Sequence, residues 1–128
     1  MTIARFYLRD EDVTQRGNWI PPVDIYETEE HDLVVKAELP DMKREDIEVT
    51  VENNTLVLRG TKKLPDGVKE DQVRRIERSY GVFNRSFTLP NTVDATKVSA
   101  DYRNGVLTVK LPYREEAKPR TINVEVAA

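Results

Sequence analysis

The sequence contains no cysteine and a single histidine, His31. Without cysteine the chain has neither a disulfide framework nor a thiolate that could act as a nucleophile or metal ligand. No glycine-rich phosphate loop, nucleophile elbow or histidine-rich metal motif occurs either. His31 lies among acidic residues in a predicted turn, where we expect an ordinary surface side chain. These absences predict a protein that is not an enzyme and that has no cofactor or metal site.

Long apolar runs and a strong net charge are also missing. No stretch approaches the ~20 apolar residues of a membrane-spanning helix, and the apolar run within residues 1–8 is too short for a signal peptide. The 20 Lys and Arg residues nearly balance the 23 Asp and Glu residues, which gives a net charge of −3. Such a chain has no field that would attract phosphate backbones or anionic lipid. We therefore expect a cytoplasmic protein without nucleic acid or membrane partners.

The length of 128 residues, of which 38% are hydrophobic, allows one domain with one modest core. Residues 1–18 contain scattered apolar side chains among charges and are predicted to form an N-terminal arm. Pro21 and Pro22 then exclude a helix, so the folded domain is expected to begin at Trp19 and to cover residues 19–112. Residues 113–128 are predicted to form a C-terminal extension.

Residues 23–111 alternate between apolar and polar side chains and have a turn signal every eight to twelve positions. This pattern is typical of an all-β sandwich or barrel. Asn53-Asn54 and Asn104-Gly105 each separate two alternating runs, and both pairs tolerate the positive φ angles of a tight hairpin turn. The sequence therefore predicts two β-hairpins within an all-β domain.

Residues 61–80 interrupt the alternation with a charged segment that contains the turn Pro65-Asp66-Gly67. Val73 and Ile76 do not follow the period of two, so the segment is predicted to be a long loop that carries at most one short strand. Long loops in compact domains are often functional.

Three further features suggest binding surfaces. Ile122 and Val124 belong to an alternating run that follows Pro119, which is either the last strand of the domain or a segment exchanged with another chain. Arg85 lies between two phenylalanines on one strand face, where it either extends to the rim or pairs with a carboxylate of another subunit. The predicted arm carries apolar residues that either form a binding surface or are too sparse to bind anything, namely Ile3, Phe6, Tyr7 and Leu8.

Five blocks of the sequence, in order, resemble the small heat-shock protein family. Residues 100–107, Ala-Asp-Tyr-Arg-Asn-Gly-Val-Leu, are similar to the family signature of an alanine, three variable residues and Asn-Gly-Val-Leu. Residues 83–90, Phe-Asn-Arg-Ser-Phe-Thr-Leu-Pro, resemble the second block. Residues 22–27 resemble the usual opening of the domain, and residues 39–49 resemble the stretch that follows it. Ile122-Asn123-Val124 resembles the C-terminal Ile-x-Ile/Val anchor.

This resemblance implies an immunoglobulin-like antiparallel β-sandwich, the α-crystallin domain, and the function of an ATP-independent holdase chaperone. Such proteins bind partly unfolded clients as homo-oligomers. In bacterial and plant members the long loop carries a strand that is swapped into the partner, for which residues 73–78 are the candidate here. The arm before Trp19 is short compared with the family, which leaves subunit number and holdase strength open.

The resemblance also assigns candidate sites to residues of this sequence. The oligomer anchor is Ile122 and Val124, and the groove that accepts it is lined by Val49, Val51, Val98 and Ala100. The dimer interface contains Val73, Arg74, Ile76 and Arg85. Client binding is assigned to Ile3, Phe6, Tyr7 and Leu8. The alternative function is that of a monomeric β-sandwich co-chaperone, or adaptor, of an ATP-driven chaperone.

Overall fold

The computed structural model describes residues 19–127 and contains seven β-strands. The strands are β1 (Val23–Glu27), β2 (Asp32–Glu38), β3 (Ile47–Glu52), β4 (Thr55–Lys62), β5 (Gly81–Thr88), β6 (Ser99–Arg103) and β7 (Val106–Pro112). Single 3-10 turns lie at Arg44–Asp46, Glu70–Gln72, Ala95–Lys97 and Glu115–Ala117. The described part of the chain contains no α-helix. The predicted all-β class is confirmed.

The strands form two antiparallel sheets, one with the order β1-β2-β7-β6 and one with the order β3-β4-β5. Alternating residues of both sheets point inward, as the period of two requires. The core combines both inner faces and consists of Val35, Ala37, Leu39, Leu56, Leu58, Phe83, Leu89, Val93, Leu107, Val109 and Leu111. Burial of each large aliphatic side chain stabilises the fold by roughly 2 kcal/mol. The predicted antiparallel sandwich is therefore confirmed.

Both predicted hairpins are present. Asn53 and Asn54 join β3 to β4 with φ angles of 53° and 59°. Asn104 and Gly105 join β6 to β7 with φ angles of 55° and 77°. Asparagine and glycine adopt these left-handed angles at low cost, and a two-residue turn of this kind matches the twist of the flanking strands.

One side of the sandwich is closed by residues 19–22, which lie between the edge strands β5 and β1. The backbone N–H of Trp19 donates to the carbonyl oxygen of Val82 at 3.1 Å, and its indole N–H donates to Gly81 at 3.0 Å. The N–H of Glu38 donates to the carbonyl of Pro22 at 3.0 Å. The remaining edge strands, β3 and β6, lie on the opposite side of the sandwich.

The structure also refines the expected boundaries. Thr61 and Lys62 belong to β4, so the long loop covers residues 63–80 and not 61–80. Tyr113 forms an isolated β-bridge with Val93 and packs against the core. Ordered pairing of the domain therefore continues one residue beyond the expected end at residue 112.

Candidate assembly surfaces

The two remaining edge strands, β3 and β6, carry or adjoin the residues predicted to form the groove that accepts the anchor. On β3 the inward positions pair with the core residues Leu56 and Leu58 or with Gly60, and on β6 they pair with Leu107 and Val109. All of the groove side chains are half-buried except that of Ala100, which is exposed. We call this set the edge groove: Ile47, Val49, Val51, Val98, Ala100 and Tyr102.

Hydrogen bonds at the two ends of the edge groove show how its walls are aligned. The hydroxyl of Tyr102 donates to the carbonyl of Leu39 and accepts from the N–H of Met42 at 3.2 Å, beside the corner that leads into Ile47. At the other end, the side-chain amide of Asn54 donates to Asn91 at 3.0 Å, on the segment that leads to Val98. The two walls therefore run in opposite directions, with Ile47 near Tyr102 and Val51 near Val98. Val49 and Val51 lie on β3, while Val98 and Ala100 lie at the start of the opposite wall. Ile47 and Tyr102 belong to the strands predicted to form the walls, and the acceptance of an anchor by these residues stays a prediction.

The predicted anchor lies in an extended segment that forms no strand within its own chain. Ile122, Val124 and Val126 are 78%, 89% and 93% exposed. Aliphatic side chains at this exposure leave most of their transfer free energy unrealised. The chain thus presents an apolar segment and an apolar groove that do not contact each other.

The loop of residues 63–80 forms one 3-10 turn and no strand. Val73 and Ile76 are half-buried, whereas Arg74 is exposed and donates to the carbonyl of Asp71 at 3.3 Å. Residues 73–78 lie outside both sheets. Their pairing with a partner chain stays a prediction.

Three surface ion pairs connect the loop to the corner before β3. Lys43 contacts Asp66 at 3.0 Å, and Arg78 contacts Asp41 at the same distance. The Lys43–Asp66 hydrogen bond lowers the pKa of Asp66 and raises the pKa of Lys43. A third pair joins Lys63 to Asp46 at 3.4 Å. Exposed pairs of this kind are screened by solvent and contribute little to stability, so these three pairs hold the loop only weakly.

Arg85 points inward between Phe83 and Phe87, opposite Leu58 in the register of β4 and β5. Its Nη1 donates to the carbonyl of Pro21 at 2.8 Å, and its guanidinium carbon lies 5.1 Å from the centroid of the Phe87 ring. No ion pair among residues 19–127 includes this arginine. Arg85 therefore binds the segment that closes the β1/β5 side, and its predicted role at a dimer interface stays a prediction.

Lys62 belongs to the charged segment of residues 61–80 that was predicted to be a loop, but its side chain is buried. Lys62 follows Leu56, Leu58 and Gly60 in the alternation of β4, and this period was the signal that places it inside. Its ammonium nitrogen lies between the rings of Trp19 and Tyr80. The predicted client-binding residues Ile3, Phe6, Tyr7 and Leu8 lie outside the described residues.

The polar surface of the domain includes a small hydrogen-bonded group around Glu27. His31 Nδ1 lies 3.0 Å from a carboxylate oxygen of Glu27, and the Tyr113 hydroxyl donates to the other oxygen at 3.1 Å. These two hydrogen bonds lower the pKa of Glu27. No group of three or more His, Asp or Glu residues within 19–127 is placed to hold a metal ion. In the same range there is no helix long and apolar enough to cross a membrane.

Comparison with known proteins gives a consistent result. The Hsp20/alpha crystallin family model matches residues 25–126. Spore protein SP21 of Stigmatella aurantiaca is 39% identical over 106 residues, which cover 83% of this chain and 62% of that protein. The 16.9 kDa class I heat shock protein 3 of Oryza sativa subsp. japonica is 42% identical over 106 residues, covering 82% of this chain and 70% of that protein.

Solved structures of other proteins also resemble this structure. A small heat-shock protein from Xylella fastidiosa superposes with a TM-score of 0.69 at 37% identity, covering 84% of this chain and 98% of that chain. The family match spans most of the sequence, and the curated relatives come from bacteria and plants. The chain is therefore a small heat-shock protein and belongs to the Hsp20/alpha crystallin family.

Proposed function

We propose that the protein is an ATP-independent holdase of the cytoplasm that binds partly unfolded proteins and acts as a homo-oligomer. The observation that carries this proposal is the presence, in one chain, of the open edge groove and of an exposed apolar segment around Ile122 and Val124. A chain that exposes both halves of a complementary contact is suited to bind other copies of itself.

The anchor contact is the first element of the proposed assembly. Ile122 and Val124 of one chain dock between β3 and β6 of another, where Val49, Val51, Val98 and Ala100 receive them. Each large aliphatic side chain that leaves water contributes roughly 2 kcal/mol, against which the ordering of the segment must be set. One such contact is weak, but many of them in a closed particle act together.

The dimer is the second element, and it uses the loop and β5. Residues 73–78 leave their own domain and pair with a partner, which places Val73, Arg74, Ile76 and Arg85 at the interface. The exchange is supported by the nature of the contacts that it breaks, because the ion pairs of the loop are exposed and Val73 and Ile76 are only half-buried. Among the described strands β1 pairs with β2 alone, so its outer edge, where Ile25 and Tyr26 are exposed, has backbone groups that a further strand can join.

Client binding is the third element. The arm presents apolar surface to an unfolding protein through Ile3, Phe6, Tyr7 and Leu8. Any groove that an anchor has left presents apolar surface as well. Clients that cover this surface are kept from meeting each other. Release and rebinding of subunits requires no nucleotide, which is consistent with the lack of a phosphate-binding loop in the sequence.

The proposal is tested by the mass and the protective activity of wild type and of Ile122→Ala/Val124→Ala. Mass is measured by light scattering on a sizing column, and protection by heat aggregation of a test client without ATP. We expect a large wild-type particle that protects the client and a double variant that falls to dimers with altered protection. Asn123→Ala, on the opposite face of the segment, is the matched control and should behave as wild type.

A wild-type protein that is monomeric and protects no client would overturn the proposal. That result would instead support a co-chaperone, or adaptor, of an ATP-driven chaperone.

A further inference from the structure

We propose that Val126 is a third anchoring residue and that the edge groove binds residues 122–126 of a second copy along its whole length. This inference rests on the proposed anchor and extends it beyond Ile122 and Val124. It is supported by the length of the edge groove, by the alternation of apolar and polar residues in the segment, and by the chain that connects the segment to the domain.

The first step concerns the face of the segment. In an extended chain successive side chains point to opposite sides, so Ile122, Val124 and Val126 share one face while Asn123 and Glu125 share the other. The exposure of these three apolar side chains increases along the segment, and Val126 is the most exposed of them. Docking of Ile122 and Val124 therefore turns Val126 toward the same wall and turns Glu125 to solvent.

The second step concerns length. The β3 wall extends from Ile47 to Val51. The β6 wall extends from Val98, the extended residue directly before β6, to Tyr102, and each wall has three apolar side chains at alternate positions. Four residue steps in a strand span about 13 Å. Residues 122–126 also span four steps, so three apolar side chains match three positions on each wall. A segment that used only Ile122 and Val124 would leave one end of the groove in water.

The third step concerns shape and polarity. Ala100 lies in the middle of the β6 wall, between the larger Val98 and Tyr102, and it is the one exposed residue of the groove. Its small side chain leaves room for a branched side chain at this level. The residues that line the groove carry no charge, and their charged neighbours on β3, such as Glu48 and Glu52, alternate to the outer face of the sheet. The groove therefore fits a row of aliphatic side chains and disfavours a buried carboxylate.

The fourth step concerns which copy occupies the groove. The root of the extension is held at Asn91 and Thr92, because Arg114 donates to both carbonyl oxygens, at 3.0 Å from Nε and 2.6 Å from the backbone N–H. Lys118 then has extended backbone angles, φ −81° and ψ 146°, which the following Pro119 favours. The high exposure of Ile122, Val124 and Val126 shows that the segment does not occupy the edge groove of its own chain. A second copy is the occupant that this exposure favours.

The first experiment compares Val126→Ala with Glu125→Ala and with Ile122→Ala/Val124→Ala in the full chain. The readout is the subunit concentration at which half of the particles dissociate, measured by light scattering. Truncation of valine to alanine removes two methyl groups, so we expect a rise of about tenfold for Val126→Ala. Glu125→Ala should match wild type. The fluorescence of Trp19, the single tryptophan, reports whether each variant is folded.

The outcomes separate this inference from the anchor on which it rests. If the double variant dissociates and Val126→Ala matches wild type, the anchor stands and the third position is overturned. If neither variant changes the dissociation, both are overturned. A rise for Glu125→Ala equal to that for Val126→Ala would also contradict the inference, because the effect would not be specific to the apolar face.

A second experiment uses the lack of cysteine in the chain. Val126→Cys is combined with Val51→Cys or with Ile47→Cys, one at each end of the groove, and the particle is oxidised. We expect one of the two pairs to form a disulfide between chains, seen as a dimer band under denaturing conditions. Glu125→Cys with the same partners is the control. A disulfide within one chain, or no disulfide above the control, would overturn binding of the segment by a second copy.

Discussion

The ammonium nitrogen of Lys62 lies 5.7 Å from the centroid of the Trp19 ring. The ring of Tyr80 is on another side of the same nitrogen, at 5.5 Å. Lys62 is only 4% exposed, and no ion pair among residues 19–127 includes it. Trp19 belongs to the segment that closes the sandwich and Tyr80 ends the long loop. The lysine therefore connects the end of β4 to both neighbouring segments through aromatic rings and not through a carboxylate.

Lys62→Met tests whether this buried cation stabilises the domain. Burial lowers the pKa of Lys62, and the nearby charge of Arg78 lowers it further. Methionine fills a similar volume without the cost of desolvating a charge, although it loses the cation–π contacts. We expect the Met variant to be as stable as wild type at pH 7, or more stable by about 1 kcal/mol. Unfolding followed by Trp19 fluorescence measures the difference, and Lys62→Ala is the control that loses packing.

The stabilities of wild type and Lys62→Met, compared at different pH values, test the lowered pKa of Lys62. Because the folded pKa of Lys62 lies below its unfolded value, the desolvation cost applies in full below the folded pKa. That cost is relieved as the pH rises through the folded pKa toward the unfolded value of 10.5. The stability of wild type should therefore rise relative to Lys62→Met at alkaline pH. A difference that stays constant from pH 7 to pH 10 would contradict the lowered pKa.

Gly60 is predicted to be the glycine of the sandwich that is least tolerant of substitution. A Cβ atom at this position would lie 2.2 Å from the carbonyl oxygen of Asp46 and 2.8 Å from the Phe83 ring. We expect Gly60→Ala to lower the free energy of unfolding by about 3 kcal/mol, because backbone and ring must both move. Gly67→Ala is the matched control, since its Cβ would meet nothing within 4 Å. Its φ of +84° costs about 1 kcal/mol. Equal melting temperatures for the two variants would refute the prediction.

The sequence was sufficient to predict contacts that depend on strand period and turn type. Asn53-Asn54 predicted the hairpin between β3 and β4, and Asn104-Gly105 predicted the hairpin between β6 and β7. The sequence was not sufficient to predict contacts between two segments that lie far apart in the chain. The approach of Gly60 to Asp46 and the position of Lys62 between two rings depend on how the sheets and the loop are placed, which no local pattern encodes.

The same distinction between local sequence pattern and contacts of distant segments applies to the residues assigned to the edge groove. Val49, Val51, Val98 and Ala100 were assigned from family motifs and alternation, and their role in binding an anchor stays a prediction. The contribution of Tyr102 depends on its hydroxyl bonds to Leu39 and Met42, which form only when the corner after β2 folds over the end of β6.

Arg85→Lys is expected to separate the two proposed roles of Arg85. Lysine keeps the charge but cannot bind a carboxylate in two places or stack a planar group on Phe87. If Arg85 lies at the dimer interface, both Arg85→Lys and Arg85→Ala should raise the concentration at which dimers dissociate. Light scattering in the background of Ile122→Ala/Val124→Ala measures this without interference from the anchor. Unchanged dimer dissociation with a lower melting temperature would restrict Arg85 to its bond with Pro21.

Glu27 should make stability depend on pH in the acidic range. Hydrogen bonds from His31 and Tyr113 lower the pKa of Glu27 below its usual value of 4.5. A carboxylate with a lowered folded pKa stabilises the fold above its unfolded pKa, and this contribution is lost as the pH falls through the folded pKa. Glu27→Gln should therefore melt below wild type at pH 6, and the two melting temperatures should converge below about pH 4. Asp24→Asn, on the same strand, is the control. A gap for Glu27→Gln that persists at pH 3 would show that the effect comes from packing and not from the charge of Glu27.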